Sequence, residues 1–297
     1  MFRHGRHAKR RRLRISLRIL FLVFCVFCLI YPFLEPYRLT ISRLEVESED
    51  LSRDVGQLRI VYVTDIHESA FPYYTKSQTD RLIARINTLH ADLVILGGDY
   101  TDSLDGATEF FTRIRYGKHI QSVYGVFGVL GEHDRDMDDA STTQLRAAMI
   151  AAGITPLIND SVQLRIGSSI ISVAGLDDVE RGWPNLAQTA AKVHGSDFCI
   201  FACHNPSILE ELGASTDADS RRGWVDLGLF GHTHGGQLPL LGDLLHLTNG
   251  ISPEHIRGVR IENRKPMIIS CGIGTSVVPM RLFRTPEIHL ITVKAAR

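Results

Sequence analysis

Cysteine is scarce in this sequence, and neither sign of charge is in excess. The 297 residues include five cysteines, and 33 Lys and Arg balance 33 Asp and Glu. Five scattered cysteines do not make a disulfide framework for a chain of this length, so we expect them to be small buried residues. With 44% hydrophobic and 22% charged residues, the chain has ordinary globular composition and is long enough for one large domain.

The charge is unevenly distributed along the chain. The first 18 residues contain eight Lys and Arg and no acidic residue, which leaves 25 Lys and Arg against 33 Asp and Glu in the remainder. An acidic body offers no basic stripe for nucleic-acid phosphates, which disfavours a nuclease. We therefore expect no nucleic-acid partner.

Charged residues are absent from Ile19 to Leu34. Counted from Ile15, this apolar segment provides about the 20 positions that a membrane-spanning helix needs. No small-residue cleavage site follows it, as a signal peptide would require, although a twin-arginine signal remains an alternative. We predict a basic cytoplasmic tail, a membrane anchor and a catalytic domain over residues 1–18, 19–36 and 37–297.

The side of the membrane follows from the charges. If the segment spans the inner membrane, the positive-inside rule keeps the basic tail in the cytoplasm and places the body on the extracytoplasmic side. At this length, with Pro32 near its end, the helix has the alternative of lying in the membrane interface. The sequence predicts a transmembrane or interfacial N-terminal helix.

Residues that can bind metals follow five apolar runs in the body. Such runs predict strands that are buried on both faces, as in α/β proteins, and apolar spacing predicts a helix at residues 77–90. Further helices are expected at about residues 142–152 and, because Pro184 suits a first helical turn, at residues 184–194. In open α/β sheets, ligands bind beyond the carboxyl ends of the strands. The residues at these five ends are Asp65 and His67, Asp99, Glu132 and His133, His204, and His232 and His234.

Each of these residues has a structural explanation when it is considered alone. Asp99 can cap a helix, His204 can be a satisfied core histidine, and Glu132 can be a solvated loop acid. Together they indicate one site, because unrelated residues would not all fall at strand ends. The acids of the polar loops lack that setting, and we expect them to be solvated: Asp102, Asp105, Asp138, Asp139, Asp177 and Asp178.

The ordered blocks resemble the calcineurin-like metallophosphoesterases, whose pattern is D-x-H, G-D, G-N-H-D/E, H and G-H-x-H. Between about residues 58 and 237 the chain has Asp65-Ile66-His67, Gly98-Asp99, Gly131-Glu132-His133-Asp134, His204 and Gly231-His232-Thr233-His234. Residues 271–276 and 284–288 resemble the tail of the YkuE/YaeI-type branch. That branch often has an N-terminal membrane segment, and it includes enzymes similar to the chlamydial UDP-2,3-diacylglucosamine pyrophosphatase of lipid A biosynthesis.

The resemblance implies a fold of the α/β (α+β) class, the four-layer αββα metallophosphoesterase sandwich. It also implies two divalent metal ions, the first held by Asp65, His67 and His234, the second by Glu132, His204 and His232, with Asp99 bridging them. His133 would donate a proton to the leaving group, and Asp134 would orient it. Imidazole and carboxylate ligands suit Mn, Fe or Zn rather than Ca.

Glu132 departs from the family pattern, which has Asn at this position. A carboxylate can still bind a metal, but it brings the formal charge of Asp65, Asp99 and Glu132 to −3 against +4 from two divalent ions. A less electrophilic pair of ions should attract an anionic phosphate less strongly. Metal preference, substrate choice or rate would therefore differ from the family's.

The function that we expect is hydrolysis of a phosphodiester or pyrophosphate bond in a membrane-associated or lipid-linked substrate, with UDP-2,3-diacylglucosamine as the most specific candidate. The predicted topology opposes that candidate, because nucleotide-linked lipid precursors are cytoplasmic and the body is expected outside. One alternative is a general extracytoplasmic phosphodiesterase. An alternative of another class is a non-catalytic metal-binding scaffold.

Overall fold

Twelve strands and six α-helices make up the part of the chain that the computed structural model describes, which is residues 3–135, 139–239, 241–242 and 251–296. The strands are β1 (Thr40–Ser48), β2 (Gln57–Val63), β3 (Leu93–Leu96), β4 (Gly125–Gly128), β5 (Ile154–Pro156), β6 (Asp160–Ile166), β7 (Ser169–Gly175), β8 (Phe198–Ala202), β9 (Leu227–Phe230), β10 (Gly258–Glu262), β11 (Lys265–Ile269) and β12 (Glu287–Ala295). The helices are α1 (Arg3–Leu34), α2 (Lys76–Asn87), α3 (Leu104–Tyr116), α4 (Asp139–Ala151), α5 (Leu186–Ala190) and α6 (Leu209–Ala214).

The strands form two mixed sheets. The first sheet has the order β1-β12-β2-β3-β4-β5, and the second has the order β10-β11-β9-β8-β7-β6. Strands β2 to β5 are parallel to one another, and so are β7, β8, β9 and β11. Because the carboxyl ends of parallel strands share one edge of a sheet, the loops that follow them are brought together.

The two sheets pack face to face. Ile60 and Ile95 of the first sheet belong to the same fully buried cluster as Ile200 and Leu229 of the second. Alternate residues of each strand point to the opposite face, where α2, α3 and α4 cover the first sheet and α5 and α6 cover the second. The prediction of paired mixed sheets between layers of helices is confirmed.

Three helices differ from the sequence prediction, and one of them is α6, which was not predicted. The helix predicted over residues 184–194 is only α5, which begins after Asn185, whose side chain accepts a hydrogen bond from the N–H of Gln188. Helix α3 was not predicted. It begins after the N-cap Ser103 and buries Ala107, Phe110, Phe111 and Ile114 against the first sheet, and this spacing of three and four residues was an available sequence signal.

Helix α1 continues through the apolar segment near the N-terminus. It contains most of a candidate membrane span, Ile15–Tyr37, which is 23 residues long and whose most apolar part is not buried against the body. At 1.5 Å per residue, this length is sufficient for the hydrocarbon core of a bilayer. The structure therefore has an apolar helix where the anchor was predicted.

We expect Ile200→Ala to lower the free energy of unfolding by about 2–5 kcal/mol, because it leaves a cavity between the two sheets. Ile150→Ala in α4 is the matched control, since this side chain is 63% exposed. Urea denaturation of the detergent-solubilised protein measures both changes. Equal losses for the two variants would contradict the assignment of the core.

Candidate metal centre

The strand ends of both sheets deliver their polar residues to one place. Loops that follow β2, β3 and β4 carry five of the predicted site residues, and loops that follow β8 and β9 carry three more. Ligand atoms of these side chains lie within 4.8 Å of one another in overlapping groups of three. The residues that the structure brings together are Asp65, His67, Asp99, Glu132, His133, His204, His232 and His234.

One group consists of Asp65, His67 and His234. The Nε2 atoms of the two imidazoles are 3.1 Å apart, and Nε2 of His234 is 3.6 Å from Oδ1 of Asp65. All three residues are buried. Two imidazole nitrogens and a carboxylate oxygen therefore converge on one small volume.

A second group consists of Glu132, His204 and His232. Oε2 of Glu132 is 3.1 Å from Nε2 of His204, and its Oε1 is 2.9 Å from Nδ1 of His232. Asp99 lies between the two groups, since its Oδ2 is 3.4 Å from Nε2 of both His67 and His204. The centre is thus two clusters of three residues that share a carboxylate.

The backbone at this centre is in an uncommon conformation. Asp65, His67, Asp99, His232 and His234 all have φ between 45° and 67°, a region that residues other than glycine rarely occupy. Such conformations persist where the surrounding structure determines them, and they concentrate at functional sites. The turns at the strand ends therefore adopt a strained backbone conformation that directs these side chains toward the centre.

Glycines allow the loops to approach closely. A Cβ atom on Gly131 would collide with the Asp99 carboxylate, and one on Gly231 would collide with Thr64 and Asp65. Any larger residue at these positions would displace the carboxylates that face the imidazoles.

Burial of so many charges shifts the pKa values. Burial alone would lower the pKa of His204, but the charges of Asp99, Glu132 and Asp65 raise it well above its ordinary value. Conversely, burial would raise the pKa of Glu132, and positive charge on His204 and His232 lowers it instead. Protons on the imidazoles thus balance the carboxylates, and a cation that bound here would replace them.

The residues fit metal ions on structural grounds. Within the described part of the chain, Oδ2 of Asp65, Oε2 of Glu132 and Nε2 of His204 are buried and make no hydrogen bond. Burying such polar atoms without a partner costs free energy, and bound cations would be partners for all three. The mixture of imidazoles and carboxylates is typical of sites for Mn, Fe or Zn.

His133 differs from the other imidazoles because it reaches solvent. Its side chain is 30% exposed, while that of His232 is 8% exposed and that of His204 is fully buried. Its ring meets the His67 ring edge-on, with 5.2 Å between the centroids. His133 therefore lies at the opening of the centre, where a substrate would arrive.

Asp134 takes a different position from the predicted one. Among the described contacts, none joins its carboxylate to the His133 ring. The carboxylate instead accepts hydrogen bonds from the N–H groups of Asp99, Gly131 and Tyr100, at 2.6, 3.0 and 3.1 Å. Asp134 therefore does not make the predicted orienting contact with His133. Its hydrogen bonds instead hold together the two loops that carry Asp99 and Glu132.

Three loop acids expected to be solvated take part in the interior. Asp102, although half exposed, places Oδ1 2.8 Å from Nδ1 of His67. Asp177 is buried against Arg135 at 2.6 Å, and Asp178 is buried on the N–H groups of its own turn. The expectation was wrong for Asp177 and Asp178, because a buried arginine and a turn supply their partners, whereas Asp102 stays half exposed, as expected, and in addition contacts an imidazole.

The other loop acids divide differently. Asp105 is exposed, as expected. Asp138 lies outside the described residues, as does the side chain of Asp139. A further residue that the sequence did not indicate is Glu180, whose Oε1 is 3.2 Å from Nε2 of His232. The sequence could have indicated Asp102, because it lies three residues after Asp99. No sequence pattern indicated Glu180, which lies in the long loop after β7.

Comparisons with known proteins agree with this geometry. A family model described as calcineurin-like phosphoesterase matches residues 58–236. The Bacillus subtilis metallophosphoesterase YkuE is 27% identical over 266 residues, which cover 89% of this chain and 88% of that protein. A Bos taurus transmembrane protein with a metallophosphoesterase domain is 27% identical over 86% of this chain and 57% of its own length. An Aquifex aeolicus metallophosphoesterase is 25% identical over 89% of this chain and 95% of that protein.

We expect Asp102→Asn to weaken binding of Mn²⁺ by about 10–100-fold, because a carboxylate on the second nitrogen of a ligating imidazole fixes its tautomer and orientation. Asp105→Asn, three residues later on an exposed position, is the control. Equilibrium dialysis against Mn²⁺ measures both affinities. Equal affinities for Asp102→Asn and the control would show that the contact with His67 does not support a ligand.

Proposed function

The chain belongs to the calcineurin-like phosphoesterase family, and from this premise we propose that it is a dinuclear-metal-dependent hydrolase of membrane-associated phosphodiesters or pyrophosphates. The observation that carries the proposal is the pair of three-residue clusters, one buried and one partly buried, between which Asp99 lies. A site with one shared carboxylate suits two ions held side by side.

We assign the ligands from the two clusters. One ion would be held by Asp65, His67 and His234, the other by Glu132, His204 and His232, with Asp99 shared between them. Asp102 and Glu180 would support His67 and His232 through their second ring nitrogens. When bound, two divalent ions would clamp a phosphate, lower the pKa of a water and neutralise charge on the leaving oxygen.

His133 is assigned as the proton donor to the leaving oxygen. Its imidazole is partly exposed at the opening. The backbone N–H of His133 donates a hydrogen bond to Oδ1 of Asp99, at 3.0 Å. This bond places the ring beside the shared carboxylate without using the ring nitrogens, which stay available for proton transfer. Asp134 contributes by positioning the Asp99 loop.

The substrate class follows from the anchor. A catalytic body tethered to a membrane by its N-terminal helix meets lipid-linked phosphates at high local concentration, and a UDP-2,3-diacylglucosamine-like diphosphate is the most specific candidate. The basic N-terminal tail favours an extracytoplasmic body. On that side, a general phosphodiesterase of envelope lipids or polymers is the second candidate.

Asp99→Asn is expected to reduce hydrolysis by more than about 100-fold, since even residues that only support metal ligands change activity by 10–100-fold. The assay uses purified full-length protein, Mn²⁺, bis(p-nitrophenyl) phosphate and UDP-2,3-diacylglucosamine, with Asp105→Asn as the control. The preferred substrate separates the lipid-precursor hydrolase from the general phosphodiesterase. Metal-loaded wild-type protein that turns over neither compound would support the non-catalytic scaffold instead.

Glu132 gives a separate prediction. Glu132→Ala removes a ligand, and we expect the bound metal to fall from two ions to one per chain. Glu132→Asn keeps an oxygen ligand and makes the site one charge less negative, so both ions stay and KM for an anionic phosphate ester falls. Mass-spectrometric metal analysis after gel filtration measures the content. If Glu132→Ala retains two ions, Glu132 is not a ligand.

A further inference from the structure

The end of α1 is fixed to a wall of the candidate metal centre. The carbonyl oxygen of Pro32 accepts a hydrogen bond from the N–H of Arg281, at 2.9 Å. The Glu35 carboxylate is fully buried and accepts hydrogen bonds from the N–H groups of Phe283 and Arg284, at 2.7 and 2.8 Å. The anchor is therefore held by the body at its last turn and does not lead into a free linker.

The same wall reaches the metal ligands. The fully buried guanidinium of Arg281 lies 3.4 Å from Nδ1 of His234 and donates a hydrogen bond to the carbonyl oxygen of Gly274, at 2.9 Å. Gly274 in turn packs so closely on Ile66 and His67 that a Cβ atom there would collide with them. Arg281 thus connects the helix end to the centre.

Exposed apolar side chains surround this junction. Phe71, Val277 and Phe283 are 79%, 83% and 70% exposed, respectively. Phe33 and Tyr37 at the end of the anchor are also exposed. We call these five residues the apolar collar.

The collar is continuous with both the anchor and the centre. The Tyr37 hydroxyl donates to the carbonyl oxygen of Pro72, next to Phe71, and the Tyr73 hydroxyl donates to that of Val277. The loop with Phe71 begins directly after His67, and Phe283 adjoins Arg284, which donates to the carbonyl oxygen of Gly235 beside His234. The loops that wall the centre therefore also present the collar.

The depth of the collar follows from its contacts with α1. The Phe283 ring packs against the ring of Tyr31, with 6.2 Å between the centroids. Tyr31 lies six residues before the end of the candidate span Ile15–Tyr37. If the span crosses a bilayer, Phe283 lies at the level of its last turns, among lipid, and the exposed Arg38 beside Tyr31 lies where headgroup phosphates are found.

We propose that the apolar collar is a membrane-contact surface that seats the opening of the metal centre on the bilayer. The occupant is the lipid bilayer itself, because the collar is continuous with the membrane helix and its aromatic residues match those of a membrane interface. The substrate is then a lipid whose phosphate is presented in the headgroup layer, rather than a soluble ester. This inference rests on the proposed anchor and phosphoesterase function, and it deepens them.

The test places tryptophan on the collar of the full-length protein. Val277→Trp is compared with Val123→Trp after reconstitution in vesicles of phosphatidylcholine with and without bromine on its acyl chains. Val123 is 68% exposed and precedes β4, at the opposite edge of the sheet from the centre. Emission of the two native tryptophans is subtracted with the wild-type protein, and Phe71→Trp provides a second position on the collar.

We expect brominated lipid to cause a loss of emission at positions 277 and 71 and no loss at position 123. Tryptophan emission at positions 277 and 71 that is not quenched by brominated lipid would overturn the proposal. If that unquenched emission were also blue-shifted, it would indicate that a second copy of the chain covers the collar. Hydrolysis of bis(p-nitrophenyl) phosphate by the same samples judges the proposed function separately. Failure of that assay with quenching intact would overturn the chemistry and leave the membrane contact standing.

Discussion

Three carboxylates, two of them buried and the third partly buried, lie against one another at the centre of the molecule, and their mutual repulsion is the constraint on which the rest depends. Asp65, Asp99 and Glu132 lie on the loops that follow β2, β3 and β4 of the first sheet, so the fold brings them close regardless of the electrostatic cost. Imidazoles, strained backbone and glycine turns surround them, and a cation that bound here would take over the charge balance from the protons of the imidazoles. The architecture is most simply explained as a frame built to hold metal ions.

Much of this centre could be predicted from the sequence, because one rule places it: polar residues directly after buried parallel strands meet at one edge. Asp99 and His204 needed only their strand ends to be recognised. The supporting contacts could not be predicted. Asp102 reaches His67 through a loop conformation, and Glu180 comes from a loop whose path no local pattern specifies.

The fold shows the same division. Short apolar runs predicted five of the parallel strands, namely β2, β3, β4, β8 and β9, but nothing local places β12 between β1 and β2, since those pairings join residues about 230–250 positions apart. Glu35 is a related case. An acid near the end of an apolar helix is expected to be exposed, yet Glu35 is buried and accepts hydrogen bonds from two backbone N–H groups of the distant loop that also carries Arg281. The apolar helix and the centre are thereby joined in one structural unit.

The measurement that tests the central claim most directly is electron paramagnetic resonance of the Mn²⁺-loaded protein, with the manganese content of the same sample determined by mass spectrometry. If Asp99 is shared between two ions, the sample contains two Mn per chain and gives the spectrum of an exchange-coupled pair. One Mn per chain, or two with the six-line spectrum of isolated ions, would contradict the dinuclear centre.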